Sequence, residues 1–207
     1  MNNNDVIILP KSENISWESI TDLMHLSFKE RANEGLIYGA LHQTAEQTKE
    51  RVGDGICLVA LLNGNLVGTG TVRFFQYNKK RIGKLSQVAV HPDYKKQGIG
   101  SLLRAYRVDL CRKQTDIDAV YCDTSEKATT VINWYLKAGW QKIGYLSHEG
   151  TNYYSVKFRL PINGRKYSKL EAWLRFYFSF IVFRLMKAKN GEWTFLGKVI
   201  KKIVRKV

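Results

Sequence analysis

Cysteine is scarce in this chain: Cys57, Cys111 and Cys122 are the only three in 207 residues, an odd number without paired spacing. That excludes the disulfide framework of a small secreted domain, and since no His/Cys cluster has ligand spacing, no metal site is expected. The N-terminus, MNNNDVIILP, lacks the basic start and apolar run of a secretion signal, so the cytoplasm is the expected compartment. Repeats and low-complexity tracts are missing too. A spanning helix needs about 20 apolar residues, but the most apolar segment, Leu170–Met186, is interrupted by Glu171, Arg175 and Arg184. Acidic residues are also few, 18 against 33 Lys and Arg, for a net charge of +15. The deficit is local. From Arg165 to Val207 there are 12 Lys/Arg and 2 Asp/Glu, so +10 of the +15 sits in the last fifth of the chain. An evenly basic nucleic-acid protein is not expected from that distribution; an anionic surface facing the tail is.

What is present suffices for one core and an appendage: 44% of the residues are apolar and 12% aromatic. Val6–Leu9 reads as a strand. Ser16 caps a helix to Arg31, with Ile20, Leu23, Met24 and Phe28 at helical spacing, and Thr44–Val52 reads as a second helix. Cys57–Leu62 and Leu66–Phe74 are strands joined by Asn63-Gly64-Asn65, a hairpin signal, and Gly83–Val90 is a third strand of the run. Gly98–Lys113 is helical, Ala119–Cys122 a buried strand, and Lys127–Ala138 a helix ended by Gly139. Trp140–Tyr145 and Tyr153–Leu160 are strands around a turn at Glu149-Gly150. This order implies an α/β (α+β) fold with a mixed sheet and helices on its faces. The expected division is 1–162 as the globular domain and 163–207 as a basic, aromatic-rich helical tail.

The informative stretch runs from Leu85 to Leu103: an apolar strand, a proline turn, a basic glycine-containing loop and a helix start. A helix N-terminus carries unpaired N–H groups and partial positive charge, which suits a phosphate. Gly98 and Gly100 let the backbone approach a ligand, while Lys95 and Lys96 add charge and Ser101 a hydroxyl. Val90-His91-Pro92-Asp93-Tyr94, followed by Lys95-Lys96-Gln97-Gly98-Ile99-Gly100, resembles the signature of the GNAT superfamily of acetyl-CoA-dependent N-acetyltransferases. That resemblance implies a GNAT-like, mostly antiparallel central sheet flanked by helices. It implies acetyl-CoA as acyl donor, with Val88, Ala89 and Val90 lining the pantetheine arm and Lys96, Gln97, Gly98, Ile99, Gly100 and Ser101 cradling the pyrophosphate. Lys95 stands where the family usually has Gln or Arg.

Asn133-Trp134-Tyr135-Leu136-Lys137-Ala138-Gly139-Trp140 is similar to a second GNAT element, whose tyrosine often protonates the departing thiolate. A phenol near pKa 10 is a sensible donor to a thiolate of similar basicity. The resemblance makes Tyr135 the candidate general acid; packing against the sheet is its structural alternative. The asparagine the family often has seven residues earlier is replaced by Ala128. The glutamate many relatives carry before the loop is missing as well, with Ser86 and Gln87 in its place. The amine proton then has water, the backbone near Val90 or a carboxylate elsewhere as its routes, with Asp123 and Glu149 as the carboxylates in question and Asp123 equally a cap for the following helix. His91 is a turn residue of the motif, and His25, His42 and His148 have no partner visible in sequence.

Trp193–Val207 segregates Leu196, Ile200, Ile203 and Val207 from Lys198, Lys201, Lys202, Arg205 and Lys206, the pattern of a helix lying in an anionic membrane interface, with aromatics at Trp173, Phe176, Tyr177, Phe178, Phe180, Phe183, Trp193 and Phe195 available for insertion. Packing on the core or on a second subunit of a homo-oligomer is the alternative. The globular part contains every element of the family by Leu160 and is expected to fold without the tail. The expected function is acetyl transfer to a primary amine, a small molecule or a lipid-linked acceptor such as an amino sugar, on the inner face of the membrane. A non-catalytic CoA-binding module is the alternative. Nucleic acid is not expected as a partner, because the basic helix has no interleaved polar base readers.

Overall fold

The computed structural model describes residues 6–32, 35–77 and 79–204, with side chains up to residue 200 apart from those of residues 30 and 31. The expectations for the side chains of Lys201, Lys202 and Ile203 and for residues 205–207 lie outside what is described. The strands are β1 (Ile7–Pro10), β2 (Ile56–Leu62), β3 (Asn65–Tyr77), β4 (Lys80–Val90), β5 (Ile117–Ser125), β6 (Gln141–Ser147) and β7 (Tyr154–Pro161). The helices are α1 (Trp17–Ala32), α2 (Ala45–Val52), α3 (Ile99–Arg112), α4 (Thr129–Lys137), α5 (Lys169–Met186) and α6 (Phe195–Val204). The seven strands form one mostly antiparallel sheet in the order β1-β2-β3-β4-β5-β7-β6. The expected mixed fold and its C-terminal helices are as read from the sequence; β3 and β5 run longer than expected.

Two compact units divide the chain: one reaches Val120 and includes Ile162–Gly164, the other comprises Tyr121–Pro161 and the residues from Arg165 onward. In the first unit, the β2–β3 hairpin turns on Asn63 (φ 50°) and Gly64 (φ 79°), the two positive φ values that a two-residue turn matched to strand twist requires. Ile20, Leu23 and Met24 of α1 pack with Val59 of β2 and Ala89 of β4 on one side of the sheet. Ile99 and Leu103 of α3 pack with Leu58, Ala60 and Val67 on the other. A polar cluster is buried with them. Thr21 and Thr48 hydroxyls lie 2.7 Å apart, Gln43 Nε2 donates to the Thr48 hydroxyl, and Arg51 donates to Gln43 Oε1 at 2.6 Å.

In the second unit, α5 is packed along β6. The Tyr145 ring meets Phe176 and Phe180 with centroids 4.8 and 5.1 Å away, and the Tyr145 amide donates to the Ser179 hydroxyl at 2.8 Å. The ring of Tyr167, at the entry to α5, is faced by the guanidinium groups of Arg159, Arg165 and Arg175. The tail therefore has an inner face built into this unit. Hydroxyl caps start four helices, Ser16 for α1, Thr44 for α2, Ser168 for α5 and Thr194 for α6, each accepting from a backbone N–H of the first turn.

Candidate functional site

The strand leading to the glycine loop is bulged. Thr69 pairs with Ala89 but Thr71 pairs with Ser86, so β4 carries one residue more than β3 between them, and Gln87 takes φ 49°. Its side chain is fully employed there: Oε1 accepts from the Thr71 hydroxyl at 3.0 Å and Nε2 donates to the Thr48 carbonyl at 3.3 Å. Under the bulge lies the buried Arg107 of α3, donating to the Thr71 and Ser86 carbonyls. Beyond it, Ala89 is in the core, Val88 and Val90 are half-buried, and the Val90 amide donates to the Ser27 hydroxyl.

His91, Pro92, Asp93 and Tyr94 form a single tight turn, with the Tyr94 amide donating to the His91 carbonyl and His91 Nδ1 accepting from the Asp93 amide. That contact fits the turn role of His91. The chain then passes through Lys96 at φ 64° and Gly98 at φ 85° before α3 begins. Two left-handed residues so close together turn successive N–H groups toward one side, a shape that receives anions. Among the described residues, none accepts from the backbone N–H groups of Gly98, Ile99 or Gly100, and α3 has no side-chain cap. A β-carbon on Gly98 would meet nothing within 4 Å, and one on Gly100 only Val90 at 3.8 Å, so the space over these amides is free of protein. An open donor set at the positive end of a 14-residue helix fits a pyrophosphate. Each loop side chain has its own place. Ile99 is buried and anchors the turn, leaving only its N–H for a ligand; Lys95 Nζ donates to the Ser27 carbonyl at 3.4 Å; Gln97 donates to the Asp93 carbonyl; Lys96 is exposed, and Ser101 half-buried.

In the second unit, Tyr135 is 3% exposed, its ring stacked on Phe158 at 5.1 Å and edge-on to Trp140 and Trp134. The ring contacts show Tyr135 built into the packing of this unit. Ala128 occupies the cap position of α4 without a side-chain bond, and the Lys127 amide donates to the Ser125 hydroxyl. Asp123 therefore does not cap α4, because it lies within β5. It meets instead His148, whose partner local sequence does not reveal: His148 Nε2 is 2.8 Å from Asp123 Oδ2, with the aspartate side chain 18% and the histidine 42% exposed. Glu149 and His42 are exposed, and His25 Nε2 donates to the Gln43 carbonyl. All three cysteines are buried; burial pushes the Cys111 thiol up to about 12 and the Cys57 thiol upward, so neither supplies a thiolate nucleophile. Among the described residues no group of His, Cys, Asp and Glu could hold a metal ion.

The family model described as the acetyltransferase (GNAT) family matches residues 17–140. Solved structures share the fold at low identity. YncA from Salmonella typhimurium, with its cofactor acetyl-CoA, is 14% identical, with 80% of this chain and 98% of that one covered and a TM-score of 0.60. The ribosomal-protein-S18-alanine N-acetyltransferase of Escherichia coli is 15% identical over 80% and 98%, with a TM-score of 0.56. An aminoglycoside 6'-N-acetyltransferase in complex with coenzyme A is 19% identical over 78% and 99%, with a TM-score of 0.54.

Proposed function

Since the chain belongs to the GNAT acetyltransferase family, we propose that it moves an acetyl group from acetyl-CoA to a primary amine. The observation that carries this reading is the open amide cradle at Gly98, Ile99 and Gly100, formed at the one place where the sequence matches the family's donor-binding motif. These amides, with Ser101 and the exposed Lys96, hold the pyrophosphate, while Val88, Ala89 and Val90 line the pantetheine arm. The donor supplies an activated thioester carbonyl. The attacking amine loses a proton as its nitrogen bonds to that carbonyl carbon, and the carbon–sulfur bond then breaks. Tyr135 donates the proton that the departing sulfur takes up. His148 accepts the amine proton at Nδ1, and Asp123 holds its imidazole through Nε2. This pair takes the place of the glutamate that Ser86 and Gln87 do not provide.

The acceptor in this reading is a small-molecule or lipid-linked amine at the cytoplasmic face of a membrane. Support comes from the tail, which holds 12 of the 33 basic residues. The division into a GNAT part, 1–162, and a tail, 163–207, describes these two roles. Release of free CoA from acetyl-CoA, followed with a panel of amines against an amine-free control, tests the proposal. Amine-dependent release supports it; acetyl-CoA binding without release would favour a CoA-binding module, and no binding would remove the donor site.

A further inference from the structure

Helix α5 is apolar on two opposite sides, and only one of them is covered by the protein. Ala172, Phe176, Ser179, Phe180 and Phe183 form the inner side, with Phe176, Ser179 and Phe180 on β6. Leu170, Leu174, Tyr177, Phe178, Ile181 and Leu185 follow the helical spacing of one continuous stripe on the other side, and each is between 46% and 72% exposed. Trp173 borders the stripe at 53% exposed. Apolar surface of that extent marks an interaction site. A helix apolar all round is normally buried, so this stripe requires a second environment.

We propose that the outer face of α5 lies in the interface of an anionic lipid bilayer, parallel to its plane. Charge selects this occupant. Arg175 and Arg184 are exposed on α5, Lys189 and Lys198 follow in the next segments, and the tail as a whole carries +10, which an anionic headgroup layer neutralises. A second copy of the chain would bring another +10 against the first. Crossing is excluded for this helix, because none of the described helices is long and apolar enough to span a membrane. The proposal rests on the membrane-proximal reading of the tail and divides its aromatics. Of those the sequence offers for insertion, Phe176 and Phe180 are turned onto β6, whereas Trp173, Tyr177 and Phe178 of α5 are exposed, as are Phe195, at 85%, and Leu196 of α6.

The test uses the full chain and co-sedimentation with vesicles of phosphatidylglycerol or of phosphatidylcholine alone, at low and high salt. The expected result is pelleting with phosphatidylglycerol that weakens with salt, and a blue shift of tryptophan emission quenched by brominated lipid. Phe178→Glu and Ile181→Glu replace exposed residues, so the fold is kept, and each is expected to lower the partition coefficient at least tenfold. Tyr77→Glu, at an exposed aromatic of β3, is expected to leave it unchanged. Pelleting of Phe178→Glu at the wild-type level, no pelleting of the wild type, or a wild-type dimer that Phe178→Glu converts to monomer without lipid binding would each overturn the proposal. CoA release with a soluble amine is measured on the same variants. Its persistence in Phe178→Glu separates loss of docking from failure of the acetyl-transfer reading.

Discussion

Asp123 and His148 are 25 residues apart in sequence, yet Asp123 Oδ2 lies 2.8 Å from His148 Nε2. The carboxylate is mostly covered and the imidazole more open, the order expected of a positioning group behind a proton acceptor. His148 is itself held from behind: its carbonyl accepts from the buried Thr151 hydroxyl, which also reaches the Lys189 carbonyl, and Gly191 packs against the His148–Glu149 backbone.

His148→Gln is expected to lower kcat by about 10²- to 10⁴-fold, the contribution of a positioned base, with the Kd for acetyl-CoA unchanged. Asp123→Asn should lower kcat less, because the imidazole stays in place. Added imidazole should restore part of the activity of His148→Ala and none of the activity of Asp123→Asn. Steady-state kinetics with calorimetry reads all three, and full activity in His148→Gln would remove the residue from the reaction.

Gly98 adopts φ 85°, where a side chain costs about 1–2 kcal/mol, but nothing in the protein stands within 4 Å of its missing β-carbon. Gly98→Val should therefore fold with a modest loss of stability while losing acetyl-CoA binding, because its methyl groups occupy the space over the open amides. Calorimetric titration checks this. Unchanged affinity would move the pyrophosphate elsewhere.

The hairpin at Asn63-Gly64 was legible because a two-residue turn with both φ values positive selects those residues. The loop at Gly98 was legible for a related reason, a glycine at a left-handed helix start. The β4 bulge was not, since Gln87 bears no compositional mark and its φ of 49° is set by the register with β3. Asp123 and His148 were read separately because their meeting depends on the strand order β5-β7-β6, which local periodicity does not encode. For α5 the composition showed apolar residues all round. Which face β6 would cover was a tertiary matter.

Tyr135→Phe keeps the ring that stacks on Phe158 and meets Trp140, and removes the hydroxyl proposed as proton donor. Acetyl-CoA affinity should hold and turnover should fall by about 10²- to 10⁴-fold, with acceptors that have weakly basic amines affected to the same degree. Wild-type turnover would return Tyr135 to packing alone.

Two bonds from Arg165, at 2.6 and 2.7 Å, and one from Arg175 hold the Glu171 carboxyl below its usual range. A depressed folded-state pKa contributes stability that is present above the ordinary carboxylate pKa and is lost as pH falls through the folded value. Wild type should exceed Glu171→Gln in urea midpoint at pH 6, and the difference should shrink below pH 4. A constant difference would show that the carboxylate charge contributes nothing.

Removing everything after Ile162 tests whether the tail is separable, as the completeness of the family pattern by Leu160 suggested. The contacts argue against separability. Deletion uncovers the Tyr145 ring now facing Phe176 and Phe180, at about 0.5–1.5 kcal/mol for each aromatic pair beyond burial. The same deletion removes the Lys187 carbonyl that accepts from the buried Tyr154 hydroxyl, and an unpaired buried donor costs about 1–3 kcal/mol. Tyr167 and Gln141, which exchange two hydrogen bonds at 2.6 and 3.2 Å, are parted as well. Against a total stability of about 5–15 kcal/mol, these losses should leave the shortened protein insoluble or with Tm lowered by more than 10 °C, roughly 2 °C or more for each kcal/mol lost. Differential scanning fluorimetry and light scattering on both forms decide it, and a soluble monomer with the wild-type Tm would show that α5 rests on β6 without supporting it.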